Sequence, residues 1–224
     1  MTTRRLAGVL FDLDGTLLDT APDMAQALNR LRLEQGLSAL ECAAIRPVVS
    51  HGSRGLIRLG FDLGPEDIGF EPLKQRFLDL YSADLARDTT LFPGMADVLQ
   101  HLESQAIRWG IVTNKPAWLA QPLLRRIDLF ERSLFERSAC VISGDTTAHA
   151  KPHPEPLLYA CRLLALAPGA CLYVGDAERD IEAGRRAGMT TVAARYGYRY
   201  ASETPESWGA DGLIDSPLEL LRWL

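Results

Sequence analysis

The sequence predicts an α/β protein: a parallel sheet covered by helices on both faces, with a small α-helical lobe inserted after the first strand. Three observations carry this. Short β-rich runs recur at Leu6–Phe11, Ile107–Val112, Ala139–Ile142, Cys171–Val174 and Thr190–Ala194, with helical patterns between most of them. Polar clusters follow four of those runs directly. The stretch from Leu18 to Pro93 is far too long for one crossover helix, because a whole βαβ unit is typically about 30 residues.

The first run ends in Asp12-Leu13-Asp14-Gly15-Thr16-Leu17, two carboxylates one residue apart where a buried strand stops. Gly15 relaxes the backbone there and Thr16 offers a hydroxyl. Carboxylates so crowded need a cation, a hydrogen-bond shell or a raised pKa to coexist. The pattern points to Mg²⁺-assisted chemistry.

The insertion, residues 19–90, reads as helical. Thr20-Ala21-Pro22-Asp23 resembles a helix start, Met24, Leu28 and Leu31 follow at helical spacing, and Gly36 can end the helix. Ser38-Ala39-Leu40-Glu41 is a second capping-box pattern, a third helix begins near Ser53, and a fourth carries Leu73, Phe77, Leu80 and Tyr81 on one face. Leu17–Thr20 and Thr89–Gly94 join this lobe to a core made of residues 1–18 and 91–224.

Within the core, Thr113-Asn114 follows the second run, Lys151 lies in the loop after the third, and Gly175-Asp176 follows the fourth, with Asp180 four residues on. Between the second and third runs stands a tandem repeat, Leu129-Phe130-Glu131-Arg132-Ser133 and Leu134-Phe135-Glu136-Arg137-Ser138. Five residues rotate a helix by about 500°, so the copies cannot present the same face, and the repeat reads as a surface duplication lengthening the connection. Leu213 and Ile214 add a last short strand, and Ser216-Pro217-Leu218-Glu219 opens a final helix toward Trp223.

Bulk properties narrow the chemistry. A chain of 224 residues builds one full core plus a smaller lobe. A net charge of −5 without a long basic stretch argues against a nucleic-acid surface. No apolar run approaches the roughly 20 residues of a membrane span. Cys42, Cys140, Cys161 and Cys171 show no C-x-x-C spacing, and the first residues run straight into a strand without a signal peptide, so a reducing cytoplasm is expected.

In a parallel sheet all four polar clusters lie along one edge, where ligands of open α/β sheets bind. Asp176 and Asp180, at i and i+4 near a helix start, would share a face. Either alone reads as an acidic first turn, but Asp176 must sit beside Asp12 and Asp14, and the cluster then needs a hard cation such as Mg²⁺. No Cys/His spacing suits zinc. Lysine occurs only at 74, 115 and 151, and Lys151, hemmed by Pro152, Pro154 and Pro156, offers a fixed cation for carboxylates and a transferring phosphoryl group. Thr113 and Asn114, alone a strand end and helix cap, become donors to phosphate oxygens in this set.

With these residues in order the chain resembles a haloacid-dehalogenase-superfamily phosphatase over essentially its whole length. Asp12-Leu13-Asp14-Gly15-Thr16 is similar to that family's first motif, Thr113 to the second, Lys151-Pro152 to the third, and Gly175-Asp176 with Asp180 to the fourth. The resemblance implies a Rossmann-like core with a helical cap. It implies Asp12 as nucleophile forming an aspartyl-phosphate, Asp14 as acid and base, and Thr113 and Lys151 on the phosphoryl oxygens. It further implies Mg²⁺ held by Asp12, the Asp14 carbonyl and Asp176, with Asp180 ordering the shell through water or Lys151, and Thr16 in support. The dehalogenases themselves lack an acid at the position of Asp14.

Val112-Thr113-Asn114-Lys115-Pro116 and Tyr173-Val174-Gly175-Asp176 with Arg179-Asp180-Ile181 look most like the phosphoglycolate phosphatase branch. A sister group acting on N-acetylmuramic acid 6-phosphate is similar in the same segments. The expected substrate is a small carboxylated phosphate ester, and the expected enzyme a monomer or homodimer. In the cap, Ser50-His51-Gly52-Ser53-Arg54-Gly55 is the specificity candidate: Arg54 reads either as a bidentate grip on a carboxylate or as a solvated arginine at a helix start. His51 reads as a leaving-group contact or a surface histidine. A sugar phosphomutase would use the same aspartates, a phosphonate hydrolase would need a reactive cap lysine, and a binding module would not need every catalytic position filled.

Overall fold

The computed structural model describes residues 6–224; residues 1–5, which the sequence assigns to the core, lie outside the described residues. In chain order the elements are β1 (Gly8–Phe11), β2 (Leu18–Asp19), α1 (Ala21–Glu34), α2 (Cys42–Ile45), α3 (Gly52–Phe61), α4 (Phe70–Ala83), β3 (Thr90–Leu91), α5 (Met95–Ser104) and β4 (Arg108–Val112). They continue with α6 (Ala117–Arg126), β5 (Asp128–Leu129), β6 (Arg132–Ser133), α7 (Leu134–Arg137), β7 (Val141–Ile142), α8 (Glu155–Leu164), β8 (Cys171–Gly175), α9 (Glu178–Ala187), β9 (Thr190–Ala194) and β10 (Gly212–Ile214).

Six strands form one parallel sheet in the order β10-β9-β8-β1-β4-β7. Strand side chains alternate between faces, and the apolar clusters follow that period of two. Val9, Phe11, Trp109, Ile111, Leu172 and Val174 pack on one face with α5 and α6. Leu10, Val112, Cys171 and Tyr173 pack on the other with α8 and α9. Among the described residues no helix is long and apolar enough to cross a membrane.

The insertion leaves and re-enters the core through a two-stranded antiparallel ribbon, in which Leu18 pairs with Leu91 and Asp19 with Thr90. Its helices bury the stripes expected from their spacing: Met24, Leu28 and Leu31 on α1, and Phe77, Leu80 and Tyr81 on α4. The ribbon is tied by Asp23. Its carboxylate, buried in the first turn of α1, accepts N–H bonds from Arg87, Asp88 and Thr89 at 3.1, 2.8 and 3.1 Å and the Thr89 hydroxyl at 2.6 Å. An acid that reads locally as a helix-start residue thus holds the returning chain.

Three local expectations are corrected, and the tandem repeat acquires its geometry. Ser38 caps nothing: Asn29 exchanges two 2.8 Å bonds with the backbone of Leu40, holding that segment out of a helix, so α2 begins only at Cys42. The tandem repeat folds two ways. The first copy closes the β5–β6 hairpin through left-handed Phe130 and Glu131, and its Ser133 then caps α7 in the second copy through a reciprocal bond with Glu136. The third core run is regular strand only at Val141–Ile142, although the Ala139 N–H also donates to the Trp109 carbonyl at 2.8 Å and the Cys140 carbonyl accepts the Ile111 N–H at 2.9 Å. The last segment, Pro217–Trp223, is a 3₁₀ helix without a Ser216 cap, because Glu219 reaches the Asp215 N–H at 3.2 Å instead.

Removing the Asp23 carboxylate leaves three N–H groups without their acceptor, so Asp23→Ala should lower stability by about 1–3 kcal/mol. Urea unfolding measures this, and a change too small to resolve would show that the ribbon does not depend on Asp23.

Candidate active site

The register of the sheet brings the polar clusters together. Phe11 pairs with Ile111 on one side and Val174 on the other, and Val112 pairs with Ile142, so Asp12, Thr113 and Asp176 emerge at the same edge. Lys151 reaches this edge from the loop after β7. Its buried Nζ lies 2.8 Å from Asp12 Oδ1, 2.7 Å from Asp180 Oδ1, 2.9 Å from the Val112 carbonyl and 2.8 Å from the Tyr173 hydroxyl.

Gly15 has φ of +89°, and a Cβ there would stand 2.1 Å from Asp176 Oδ2. Only glycine permits that turn against a carboxylate. Asp176 accepts from the Thr16 hydroxyl at 3.3 Å, and from the Ser50 hydroxyl and the Tyr198 N–H at 2.8 Å each. Arg179 donates to the Ser50 carbonyl, fastening the same stretch of the insertion to the core.

The two aspartates of the first motif have different partners. Asp12 is buried beside Lys151, whereas Asp14 Oδ1 receives the Thr20 hydroxyl at 2.7 Å and Lys115 Nζ at 2.9 Å. Lys115 is itself buried, and its ammonium stands 4.7 Å from the centre of the Tyr81 ring on α4.

Two sequence expectations need correction. Asp176 precedes α9 and only Asp180 lies in the helix, so the pair does not share a helix face as i and i+4; the sheet edge brings them together. Asn114 does not present a free amide to an anion. Its side chain clips the Lys151 loop, donating to the Lys151 carbonyl and accepting its N–H, both at 3.0 Å. Thr113 is buried with its Oγ1 accepting the Lys115 N–H at 3.1 Å, which leaves the hydroxyl proton to donate. Arg54 is exposed and His51 stacks on Tyr200 at 5.8 Å; both line the cleft.

That cleft encloses about 490 Å³. The core contributes Asp12, Asp14, Thr113, Lys115, Lys151 and Arg179, and the insertion contributes Ser50, His51, Arg54, Phe77 and Tyr81. Lys74 is not among the lining residues and pairs with Glu71 at 2.8 Å, which leaves a phosphonate hydrolase without its lysine from the insertion. The sequence assigns no site role to Lys115, Arg179 or Tyr198, and marks Ser50 only as part of the Ser50–Gly55 specificity stretch. Lys115 had a signal, as one of three lysines beside Thr113-Asn114, while Ser50 and Tyr198 meet Asp176 only through the tertiary fold.

One oxygen each from Asp12, Asp176 and Asp180 lie within 4.8 Å of one another. Burial, and then the charge of Asp180, push Asp12 up to about 6 against the opposing pull of Lys151. Burial, then Asp12 and Asp180, push Asp176 up to about 8. Burial works against the Lys115 and Lys151 cations, yet their carboxylate partners prevail and both stand above the usual lysine range. Burial pushes the Tyr81 phenol up to about 12, keeping it a donor. An all-oxygen, carboxylate-rich cluster of this kind fits a hard divalent cation. Asp180 is already engaged, its Oδ1 by Lys151 and its Oδ2 by the Ala177 N–H at 3.1 Å, so Asp12 and Asp176 are the side chains with capacity to hold one.

The haloacid dehalogenase-like hydrolase family model matches residues 9–194. An N-acetylmuramic acid 6-phosphate phosphatase of Pseudomonas putida is 46% identical, over 97% of this chain and 96% of its own length. A phosphoglycolate phosphatase of Xanthomonas campestris pv. campestris is 47% identical, over 95% of this chain and 93% of its own. Among solved structures, a "predicted phosphoglycolate phosphatase" from Haemophilus somnus superposes with a TM-score of 0.85 at 26% identity, covering 100% of this chain and 99% of that one.

The raised carboxylates give a pH test. A folded pKa above the unfolded value means the folded state binds the proton more tightly, so that contribution to stability is lost as pH rises. In the metal-free protein Tm should therefore fall as pH climbs from the ordinary carboxylate range through about 6 and about 8, and added Mg²⁺ should reverse the fall. Thermal melts with chelator and with Mg²⁺ measure it; melts that ignore both pH and metal would refute the account of the cluster.

Proposed function

This chain belongs to the haloacid dehalogenase-like hydrolase family and is a phosphatase, and from that premise we propose that it hydrolyses a small carboxylated phosphate monoester, 2-phosphoglycolate, with Mg²⁺ as cofactor. In this reading residues 1–18 and 91–224 form the catalytic core, and residues 19–90 form a cap over the cleft. The reading includes a cytoplasmic monomer or homodimer, supported by cysteines that are all free, Cys140, Cys161 and Cys171 being buried.

The observation that carries the mechanism is the division between the two aspartates: Asp12 is held by Lys151 inside the acidic cluster, Asp14 by Lys115 and Thr20 beside it. Asp12 attacks phosphorus, and the phosphorus–oxygen bond to the leaving group breaks as Asp14 donates a proton to that oxygen. Asp14, now a carboxylate, takes a proton from water as the water attacks the aspartyl-phosphate, releasing phosphate and restoring Asp12. Lys151 holds Asp12 in place and offsets charge on the transferring group, and the Thr113 hydroxyl donates to a phosphoryl oxygen. Asp180 acts through Lys151, Asn114 holds the Lys151 loop, and Thr16 steadies Asp176. A divalent cation on Asp12, Asp176 and the Asp14 carbonyl would neutralise the carboxylates and phosphoryl oxygens together.

A second reading, a phosphatase for N-acetylmuramic acid 6-phosphate, is favoured by the cleft, whose 490 Å³ exceeds what glycolate needs and extends toward Arg54. A sugar phosphomutase differs in returning the phosphoryl group instead of releasing it.

Asp12→Asn should leave the circular dichroism spectrum intact and lower turnover by about a thousandfold or more. Mg²⁺-dependent phosphate release at the wild-type rate in that variant would overturn the covalent mechanism. In the same assay the highest kcat/KM among 2-phosphoglycolate, N-acetylmuramic acid 6-phosphate and common sugar phosphates identifies the substrate, and sugar-phosphate interconversion with little release would identify a mutase.

A further inference from the structure

The mechanism uses Lys115 only as a partner of Asp14, although its setting is unusual for that purpose. Lysine is rarely fully buried, and when it is, its desolvated ammonium needs anions. Here the ammonium has one, Asp14 Oδ1 at 2.9 Å, and a Tyr81 ring at 4.7 Å from the opposite wall of the cleft. The Tyr81 hydroxyl is buried beside Lys115, and its proton has no acceptor among the described residues. Both residues line the cleft. An ammonium with spare donor capacity and a phenol whose proton lacks an acceptor, meeting across the core and the insertion, offer two donors to one anion.

Resting on the proposed carboxylated substrate, we propose that Lys115 and Tyr81 form the subsite for the substrate's carboxylate, and that this subsite selects esters whose carboxylate lies one carbon from the phosphorylated oxygen. The geometry sets that spacing. Asp14 must reach the leaving oxygen, and Lys115 is within hydrogen-bond distance of Asp14, so an anion shared with Lys115 lies close to the same oxygen. In 2-phosphoglycolate a single methylene separates the ester oxygen from the carboxylate. In a hexose 6-phosphate bearing its carboxylate on a ring substituent, the ring intervenes and the carboxylate falls toward Arg54. The carboxylate also gives Lys115 a second anion, which frees Asp14 from holding that cation alone.

The test compares 2-phosphoglycolate with ethyl phosphate, which keeps the chain length and lacks the carboxylate. Wild-type enzyme should prefer 2-phosphoglycolate, and Lys115→Met should reduce its kcat/KM about 100-fold more than that of ethyl phosphate, chiefly through KM. Tyr81→Phe, which removes only the hydroxyl, should raise KM for 2-phosphoglycolate about fivefold more than KM for ethyl phosphate. Equal losses on both substrates in the two variants would overturn the subsite while the carboxylated-substrate reading stands. A wild-type enzyme indifferent to the carboxylate would overturn both.

Discussion

The site is organised around one buried ammonium. Lys151 sits between Asp12 and Asp180 with its three N–H bonds turned to those carboxylates and to the end of β4, in a place where an unpaired charge would be prohibitive. Much of the surrounding structure serves that placement. Asn114 fixes the lysine's own backbone from the neighbouring strand end, Tyr173 reaches up from the centre of the sheet to share its acceptors, and Asp180 is held by the N–H of Ala177 just before α9. Asp12 gains a fixed orientation and a positive neighbour, yet burial still lifts it to about 6. The cluster is therefore short of positive charge by design, and a divalent cation beside Asp12 and Asp176 answers that shortage.

The insertion is coupled to this cluster by polar contacts as well as apolar packing. Ser50 bonds Asp176 directly, Arg179 holds the Ser50 carbonyl, and Tyr81 covers the Lys115 cation that holds Asp14. Thr20 also bonds Asp14 directly, so each of the carboxylates Asp14 and Asp176 accepts a hydrogen bond from the insertion. A displacement of α4 or of the Arg46–His51 segment changes the surroundings of Asp14, the proposed acid and base, and of Asp176, which would hold metal. The Asp23 clamp and the β2–β3 ribbon hold the two crossings between core and insertion side by side.

Much of this was legible in the sequence because it depends on local pattern and strand order. The apolar runs mark the core strands, and four polar clusters at their ends must converge in a parallel sheet, so Asp12, Thr113, Lys151 and Asp176 follow without coordinates. Partnerships between distant segments are another matter. Asp23 looks like an ordinary first-turn acid, Asn114 like a phosphate donor, and Ser50 like part of a substrate-specificity stretch, because the groups they bind lie far along the chain or on another element. The tandem repeat shows the same limit: identical pentapeptides become a hairpin and a helical turn, since Ser133 stands between them as strand end and cap at once.

Relatives of nearly equal identity act on different phosphate esters, so overall similarity does not choose the leaving group. The physical variable that does is the distance between carboxylate and phosphate. Besides Lys151 and Arg179, the cleft is lined by two cations of opposite character: Lys115, buried and paired with Asp14, and Arg54, exposed on the insertion. A short ester satisfies the first, and a desolvated ammonium gives a strong, close-range reward for a matching anion. A bulky sugar would satisfy the second, at a solvated guanidinium whose ion pair contributes little. The volume of the cleft admits either molecule, but volume excludes without attracting. On the proposed reading the deeper cation therefore weighs more in selection than the wider space, and a short carboxylated ester is the substrate this arrangement favours.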